Sequence, residues 1–260
     1  NKNMTVIKKV LPNWPAPDHI HAFVTERSGG CSVGSFASLN LAGHVNDSES
    51  AVARNRDHVR SALPDNLAYQ WLDQVHSNIV NTVNIPTSPM RGDSLICRLP
   101  GVICCVLTAD CLPIFLTNRK GTEIAILHAG WRGICYGIIN NTIDAMQSRP
   151  SDILAWLGPA IGPCHYEVGI GLKNVFKEAI ESKELWLEIE RCFGQGRKED
   201  KLYLNLYRAA EVILGYSGVN EVFGGNHCTF CEEEKYYSYR RDQETGRMLS
   251  AIFIDPEGCS

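Results

Sequence analysis

Gly101-Val-Ile-Cys-Cys-Val-Leu-Thr-Ala-Asp-Cys111 and Glu123-Ile-Ala-Ile-Leu-His-Ala-Gly-Trp-Arg-Gly133 are two apolar runs that each stop on a residue able to ligate a metal. Runs this apolar predict strands held between packed layers, and such a strand is a rigid mount. A Cys at the end of one and a His at the end of its neighbour can then share a fixed position in space. His76, in Gln74-Val-His-Ser77 beside the apolar stretch Trp71 to Val75, is a third candidate. Two imidazoles and one thiolate suit zinc with an open coordination position.

Working outward, strand and helix signals alternate. His21-Ala-Phe-Val-Thr25 predicts a strand after a lead-in carrying Pro12, Pro15 and Pro17. Arg27-Ser-Gly-Gly-Cys-Ser-Val-Gly34 is either a loop whose glycines let the backbone approach a ligand or a plain connecting turn. Ser48 to Ala62, with Ala51, Val52, Asn55 and Val59 on one face, acids early and Arg later, predicts a scaffold helix. Further helices are expected at Gly133–Met146, Val168–Leu187 and Leu202–Leu214, and strands at Ile153–Leu157, Val219–Phe223 and Met248–Ile254. This alternation, without repeats or long linkers, predicts α/β architecture: one domain over residues 1–260, a sandwich with a mixed β-sheet and flanking helices.

At 260 residues the chain has ample material for a buried core. Its net charge of -4 disfavours a nonspecific nucleic-acid binder, which needs an excess of Lys and Arg, although a local Arg cluster can still hold a small anion. The 11 cysteines are odd in number and sit mostly in apolar runs, as at Cys97, Cys104, Cys105 and Cys135. A secreted disulfide framework is more often short with an even count. No apolar stretch has the roughly 18 residues needed to span a bilayer, and Asn1 to Val10 is too polar for a signal peptide. A reducing cytoplasm is the expected location.

The chemistry concentrates around the two central runs. In Thr108-Ala-Asp-Cys-Leu-Pro-Ile114, Asp110 has the wrong charge to activate a free Cys111 nucleophile. A metal resolves that conflict, leaving Asp110 to orient a ligand or accept a proton; a buried Cys beside a turn Asp is the alternative. In His128-Ala-Gly-Trp-Arg-Gly133 small residues leave room for substrate, Trp131 offers a stacking face and Arg132 an anion fork. A core histidine with a packed Trp would look similar. Gln74 can hydrogen-bond a polar ligand, and Arg27, Arg132, Arg240 and Arg241 can bind phosphate or carboxylate, or simply form surface ion pairs. Three other ligand sets compete: Cys228-x-x-Cys231 beside His227, Cys164-His165, and His19-Ile-His21. A zinc ribbon needs a second ligand pair at suitable spacing, and a redox Cys-x-x-Cys should open a helix in a thioredoxin-like unit. Neither context is visible in the sequence.

Several of these motifs, taken in order along nearly the whole chain, resemble the laccase-domain family typified by YfiH. They are Arg27-Ser-Gly-Gly30, Ser38-Leu-Asn-Leu41, His44-Val45, Gln74-Val-His76, Thr108-Ala-Asp-Cys-Leu-Pro113, His128-Ala-Gly-Trp-Arg-Gly133, Leu157-Gly-Pro-Ala-Ile-Gly162, Ser238-Tyr-Arg-Arg241 and Thr245-Gly-Arg247. The chain departs from the family pattern at Cys31, where Val is usual, and at Gly92-Asp-Ser94, where Ala-Asp-Ala is common. Both departures lie off the three ligands and bear on substrate fit.

The resemblance implies a single α/β domain, a metal held by His76, Cys111 and His128, and a zinc-dependent purine nucleoside enzyme. The implied activities are phosphorolysis of adenosine, inosine and methylthioadenosine, with adenosine deamination. Asp110 and Arg132 are then the catalytic candidates, and Arg27, Asn40, Gln74, Trp131 and Arg240 the candidates for holding nucleoside and phosphate. The family's older label implies copper and polyphenol oxidation. One His19-x-His21 pair is too few for a multicopper cluster, which is built from several. A metal-stabilised binding module without catalysis is the remaining class, and the expected assembly is a monomer or homodimer.

Overall fold

The structure, a computed structural model, describes residues 6–257. Strands and helices are numbered along the chain. One mixed sheet runs, edge to edge, through β1 (Lys9–Val10), β2 (Ile20–Thr25), β15 (Met248–Ile254), β7 (Val102–Thr108), β3 (Ala68–Asp73) and β5 (Met90–Arg91). A second runs through β14 (Glu221–Gly224), β10 (Ile153–Leu157), β8 (Leu112–Asn118), β9 (Ile124–Ala129), β6 (Ser94–Cys97) and β4 (Val80–Val83). A small antiparallel sheet holds β11 (Glu167–Gly169), β13 (Lys201–Leu204) and β12 (Phe193–Gln195). The helices are α1 (Glu49–Ser61), α2 (Trp131–Cys135), α3 (Ile138–Ala145), α4 (Gly171–Ala179), α5 (Lys183–Glu190), α6 (Leu206–Tyr216) and α7 (Tyr239–Asp242).

Alternation along each strand sorts side chains into layers, because successive residues point to opposite faces. On β7, Val102, Cys104 and Val106 enter the core between the two large sheets, meeting Leu95, Phe115, Ile126 and Trp156 of the second sheet. Ile103, Cys105 and Leu107 point the other way, against Leu39, Leu41 and Val59 of α1 and the loop before it. The outer face of the second sheet, with Ile114, Leu116, Leu127 and Ala155, is covered by α2, α3 and α6 through Ile134, Ile139, Ala210 and Ile213. The cysteines of β7 are therefore packing residues, as their apolar setting predicts. Both central strands are buried along their whole length. The expected α/β sandwich is present, with two large mixed sheets where one was anticipated.

Three local expectations change. β7 and β9 lie in opposite sheets, and the hydrogen-bonded neighbours of β9 are β6 and β8, the latter with Leu112 opposite Ala129 and Pro113 opposite His128. Cys111 thus stands at the start of a strand that the sequence hid behind the turn at Ala109–Asp110. The helix expected over Gly133–Met146 is two helices, α2 and α3, separated where Gly137 takes a left-handed φ of 90°. The segments Val168–Leu187 and Leu202–Leu214 each begin as strands: β11 and β13 pair antiparallel. α6 starts only after Asn205, whose side chain caps it by accepting from the Arg208 amide at 3.0 Å. Likewise α4 and α5 are separate, with Ser182 capping the second.

Candidate metal centre

The three candidate ligands converge. His76, Cys111 and His128 offer one ligand atom each, all within 4.8 Å of one another. Each stands at a strand end: His76 just after β3, Cys111 immediately before β8, and His128 near the end of β9. The imidazole rings of His76 and His128 lie edge to face, centroids 4.8 Å apart. Gly130 makes the space, since a Cβ there would sit 2.9 Å from the Cys111 sulfur and 3.4 Å from the His76 ring. His76 and Asp110 both carry positive φ, 57° and 94°, unusual for non-glycine residues and concentrated here at the convergence point.

Asp93 binds two of the ligands into one unit. Fully buried, its carboxylate accepts from His128 Nδ1 at 2.8 Å, from the His76 amide at 3.1 Å, and from the Ser77 amide and hydroxyl at 2.6 and 2.7 Å. Its own carbonyl accepts the His128 amide at 2.8 Å. With Nδ1 committed to Asp93, His128 presents Nε2 to the centre, the orientation a carboxylate partner gives a metal-ligating imidazole. Burial works against the Asp93 charge, but the bonds from His128 and Ser77 prevail and pull its pKa down to about 2. Gly92 and Ser94 flank this residue, so the departure there from the family pattern borders the ligand support.

The same environment favours a thiolate. Burial resists ionisation of Cys111, but the positive charge of His128 and hydrogen bonds from His128 and His76 outweigh it, bringing the thiol down to about 6. Reciprocally, burial disfavours a charged His128, and the charges of Cys111 and Asp93 overcome it, lifting the imidazole to about 9. A soft thiolate, two imidazoles and an outer carboxylate fit a zinc-sized cation with one coordination position open, and the missing side chain of Gly130 lets the backbone pass close to the thiolate.

A basic wall surrounds the centre. Arg247, Asp110 and Cys111 lie within electrostatic reach of one another, and burial with the neighbouring Arg240, Asp110, Arg132 and Cys111 charges governs Tyr166. Burial and the positive charge of Arg247 hold His44 below its ordinary value. Arg132 stacks over the Trp131 ring at 4.5 Å, Arg240 lies over Tyr166 at 5.2 Å, and Arg247 over Tyr239 at 5.9 Å. Neither Arg247, Tyr166 nor His44 stood among the sequence candidates, although Thr245-Gly-Arg247 and His44-Val45 were motifs of the family pattern.

The other candidates are placed as follows. Both Asp110 oxygens hold the wall, accepting from the Thr229 hydroxyl and the Arg240 amide, each at 2.6 Å. The Gln74 amide grips the Leu107 backbone at both ends, donating to its carbonyl and accepting its amide, each at 2.8 Å. Asn40 is fully buried, bonding Ala42, Asp47 and the Arg247 amide. Arg27 engages the carbonyls of Ala37 and Glu233 and the Tyr237 ring. The Gly-rich loop folds onto its own scaffold, since a Cβ on Gly30 would lie 2.3 Å from the Ser38 carbonyl. His19 and His21 bond the Gly121 carbonyl and Asp255. Cys164, His165, Cys228 and Cys231 form a second group with ligand atoms within 4.8 Å of one another. That corrects the expectation that Cys228-x-x-Cys231 lacks a ligand pair to meet; His227 faces Glu232 instead.

Residues 21–255 match the family described as multi-copper polyphenol oxidoreductase laccase. A Haemophilus influenzae protein named purine nucleoside phosphorylase is 40% identical, over 96% of this chain and 100% of its own length. The Escherichia coli purine nucleoside phosphorylase YfiH is 40% identical, covering 95% and 99%. Among solved structures, a Neisseria meningitidis protein superposes with a TM-score of 0.88 at 39% identity, over 95% of this chain and 99% of that one. Geobacillus stearothermophilus YlmD gives 0.84 at 30%, over 93% and 94%.

Proposed function

Because the chain belongs to the laccase-domain family, we propose that it is a purine nucleoside phosphorylase whose centre is the zinc site of His76, Cys111 and His128. The observation that carries this reading is the convergence of that open three-ligand set with the guanidinium groups of Arg132, Arg240 and Arg247 around Cys111 and Tyr166. Its relatives' names supply the substrate class.

In phosphorolysis a phosphate oxygen forms a bond to ribose C1′ as the C1′–N9 bond breaks, and the purine leaves with the electron pair and takes a proton. Arg132, Arg240 and Arg247 bind and orient the phosphate, as planar guanidinium donors suit its oxygens. Trp131 supports the base. Tyr166, kept protonated by burial and by the negative charge of Cys111, would be a hydrogen-bond donor available to substrate. Asp110, with both oxygens engaged, acts by positioning Arg240 and Thr229. Asn40 acts through Arg247, and Gln74 through the end of β7. A zinc ion, when bound, supplies Lewis acidity and an acidified water with pKa near roughly 7. Adenosine deamination, in which water adds at C6 and ammonia leaves, belongs to the same proposal, as do adenosine, inosine and methylthioadenosine as substrates. A thiolate ligand needs reduced sulfur, in keeping with action in the cytoplasm; no described helix is long and apolar enough to cross a membrane.

The test is to incubate zinc-loaded protein with inosine and phosphate and measure hypoxanthine and ribose 1-phosphate together. The two products should appear in equal amounts and depend on phosphate. No base release, or release that His128→Ala leaves unchanged, would reject the reading. The family's description as a multi-copper polyphenol oxidoreductase favours one alternative, a copper-loaded centre oxidising phenols, since two His and one Cys also form a copper ligand set. Strong visible absorption from a copper–thiolate bond together with phenol turnover would establish it. Loss of fold on chelation without any turnover would leave a metal-stabilised binding module.

A further inference from the structure

We propose that Cys164, His165, Cys228 and Cys231 form a second, structural zinc site that pins the two loops walling the active centre. All four are described side chains outside the first ligand set, and they come from two loops far apart in sequence: one following β10, the other following β14.

The spacing matches four-coordinate zinc. Ligand bonds of about 2.3 Å to sulfur and about 2.0–2.1 Å to nitrogen in a tetrahedron put sulfurs about 3.8 Å apart and sulfur and nitrogen about 3.6 Å apart. Cys164 Sγ lies 3.8 Å from Cys228 Sγ and 3.5 Å from Cys231 Sγ. His165 Nδ1 lies 3.2 Å from both Cys164 Sγ and Cys231 Sγ. Three sulfurs and one imidazole nitrogen converging on a single point constitute a Cys3His set, a closed shell with no position left for substrate. This is the ligand count of a structural site, in contrast to the three ligands around Cys111.

The surroundings are arranged for that role. The Gly162 amide points at Cys228 Sγ at 3.2 Å, and the amides of Phe230 and Cys231 also hydrogen-bond that sulfur. Backbone N–H donors aimed at a sulfur stabilise a thiolate. Gly162 itself lies against the cluster: a Cβ there would stand 3.2 Å from the Cys228 sulfur and 3.4 Å from that of Cys164. The His165 ring is held flat on Phe230, centroids 4.0 Å apart and planes 13° from parallel, which turns Nδ1 inward. Three sulfurs this close would repel one another as thiolates, and a divalent cation among them would remove that repulsion.

The cluster extends a seam. β10 and β14 pair in parallel, and the pairing continues past both strands as a lone bridge between Ala160 and Cys228, with the Thr229 amide donating to the Ala160 carbonyl at 3.0 Å. Zinc would fasten the open end of that seam. The fastened segments hold the active-centre wall: Thr229 donates to Asp110, and Arg240 donates to the carbonyls of His165 and Glu167 at 3.4 and 2.8 Å.

The test uses untagged full-length protein purified under reducing conditions and loaded with zinc alone. Metal analysis should find two zinc ions per chain, one lost in Cys228→Ser/Cys231→Ser and the other lost in His128→Ala. X-ray absorption at the zinc edge of the unaltered protein needs no variant to fold, and should average two sulfur ligands per zinc, one from the Cys111 centre and three from this cluster. The double variant should also melt several degrees lower. One zinc per chain bearing one sulfur would overturn the proposal, as would a double variant that keeps both ions or melts like the parent, or a Cys164–Cys231 disulfide in place of the second ion. One zinc with three sulfurs would retain this site and remove the first.

Discussion

The two ligand clusters use the same chemistry in opposite ways. Around Cys111 three ligands stand at strand ends, the glycine beside them lets the backbone pass close to the sulfur, and a buried carboxylate fixes two ligands at once. Around Cys228 four ligands stand on two loops nearer the surface, and a stacked phenyl ring orients the imidazole. An open shell on a rigid mount can do chemistry because its last position is kept for substrate, whereas a closed shell between loops can only hold them together. The two are linked, since Thr229 of one joined segment bonds Asp110, and Arg240 of the basic wall bonds the carbonyls of His165 and Glu167 on the other.

The sharpest way to break this contrast is to remove one first-cluster ligand. His128→Ala should take base release to background while the second cluster still holds its zinc, as read by product formation and metal count. Next is Asp93→Asn, which leaves every ligand in place but weakens the acceptor that orients His128; zinc affinity at the first cluster should fall about 10- to 100-fold, the size expected for an outer-shell partner. Competition with a chelator would measure it, and an unchanged affinity would show that Asp93 only packs.

Smaller effects come from the paired glycines. Gly130→Ala puts a methyl 2.9 Å from the Cys111 sulfur, an overpacking that costs about 1–3 kcal/mol and should depress turnover by tenfold or more. Gly162→Ala approaches Cys228 at 3.2 Å and should weaken zinc retention at the second cluster several-fold, with a smaller loss of turnover than in Gly130→Ala. Equal losses of turnover in both variants would erase the functional distinction between the clusters.

The smallest effect belongs to neither cluster. Glu123, just before β9 and at the opposite end from His128, is buried and ion-paired with Arg98. Burial opposes its charge, but the Ser148 hydroxyl, the Gln147 and Ser148 amides and Arg98 hold its pKa below the ordinary value. A carboxylate depressed in the folded state adds stability that is present above its ordinary pKa and is lost as pH falls through the folded one. Glu123→Gln should therefore flatten the acid side of the stability profile, followed by melting across pH, with the zinc count at both clusters unchanged.

What the sequence displayed follows from how each feature is encoded. β7, β9, β10 and β15 were legible because buried strands are short unbroken apolar runs, and α1 because its apolar face and terminal charges repeat at helical spacing. Cys111 and His128 could be singled out because their chemistry lies in their immediate neighbours. Asp93 could not, because its partners His76, Ser77 and His128 are brought together only by the pairing of β6 with β4 and β9. The meeting of Cys164-His165 with Cys228-x-x-Cys231 is likewise a product of the parallel pairing of β10 with β14, which leaves no mark in local spacing. Arg247 and Tyr166 were hidden for the same reason. β13 reads as a helix start because its apolar residues join smoothly to those of α6, and the break depends on one capping side chain, Asn205.

The most direct test of the division of labour is to measure zinc content and phosphate-dependent hypoxanthine release side by side in the parent, His128→Ala and Cys228→Ser/Cys231→Ser. The account predicts two ions in the parent and one in each variant, with base release abolished in His128→Ala and lowered but still measurable in the double cysteine variant. Base release that survives in His128→Ala, or that vanishes in the cysteine variant while its first-cluster zinc remains, would contradict it.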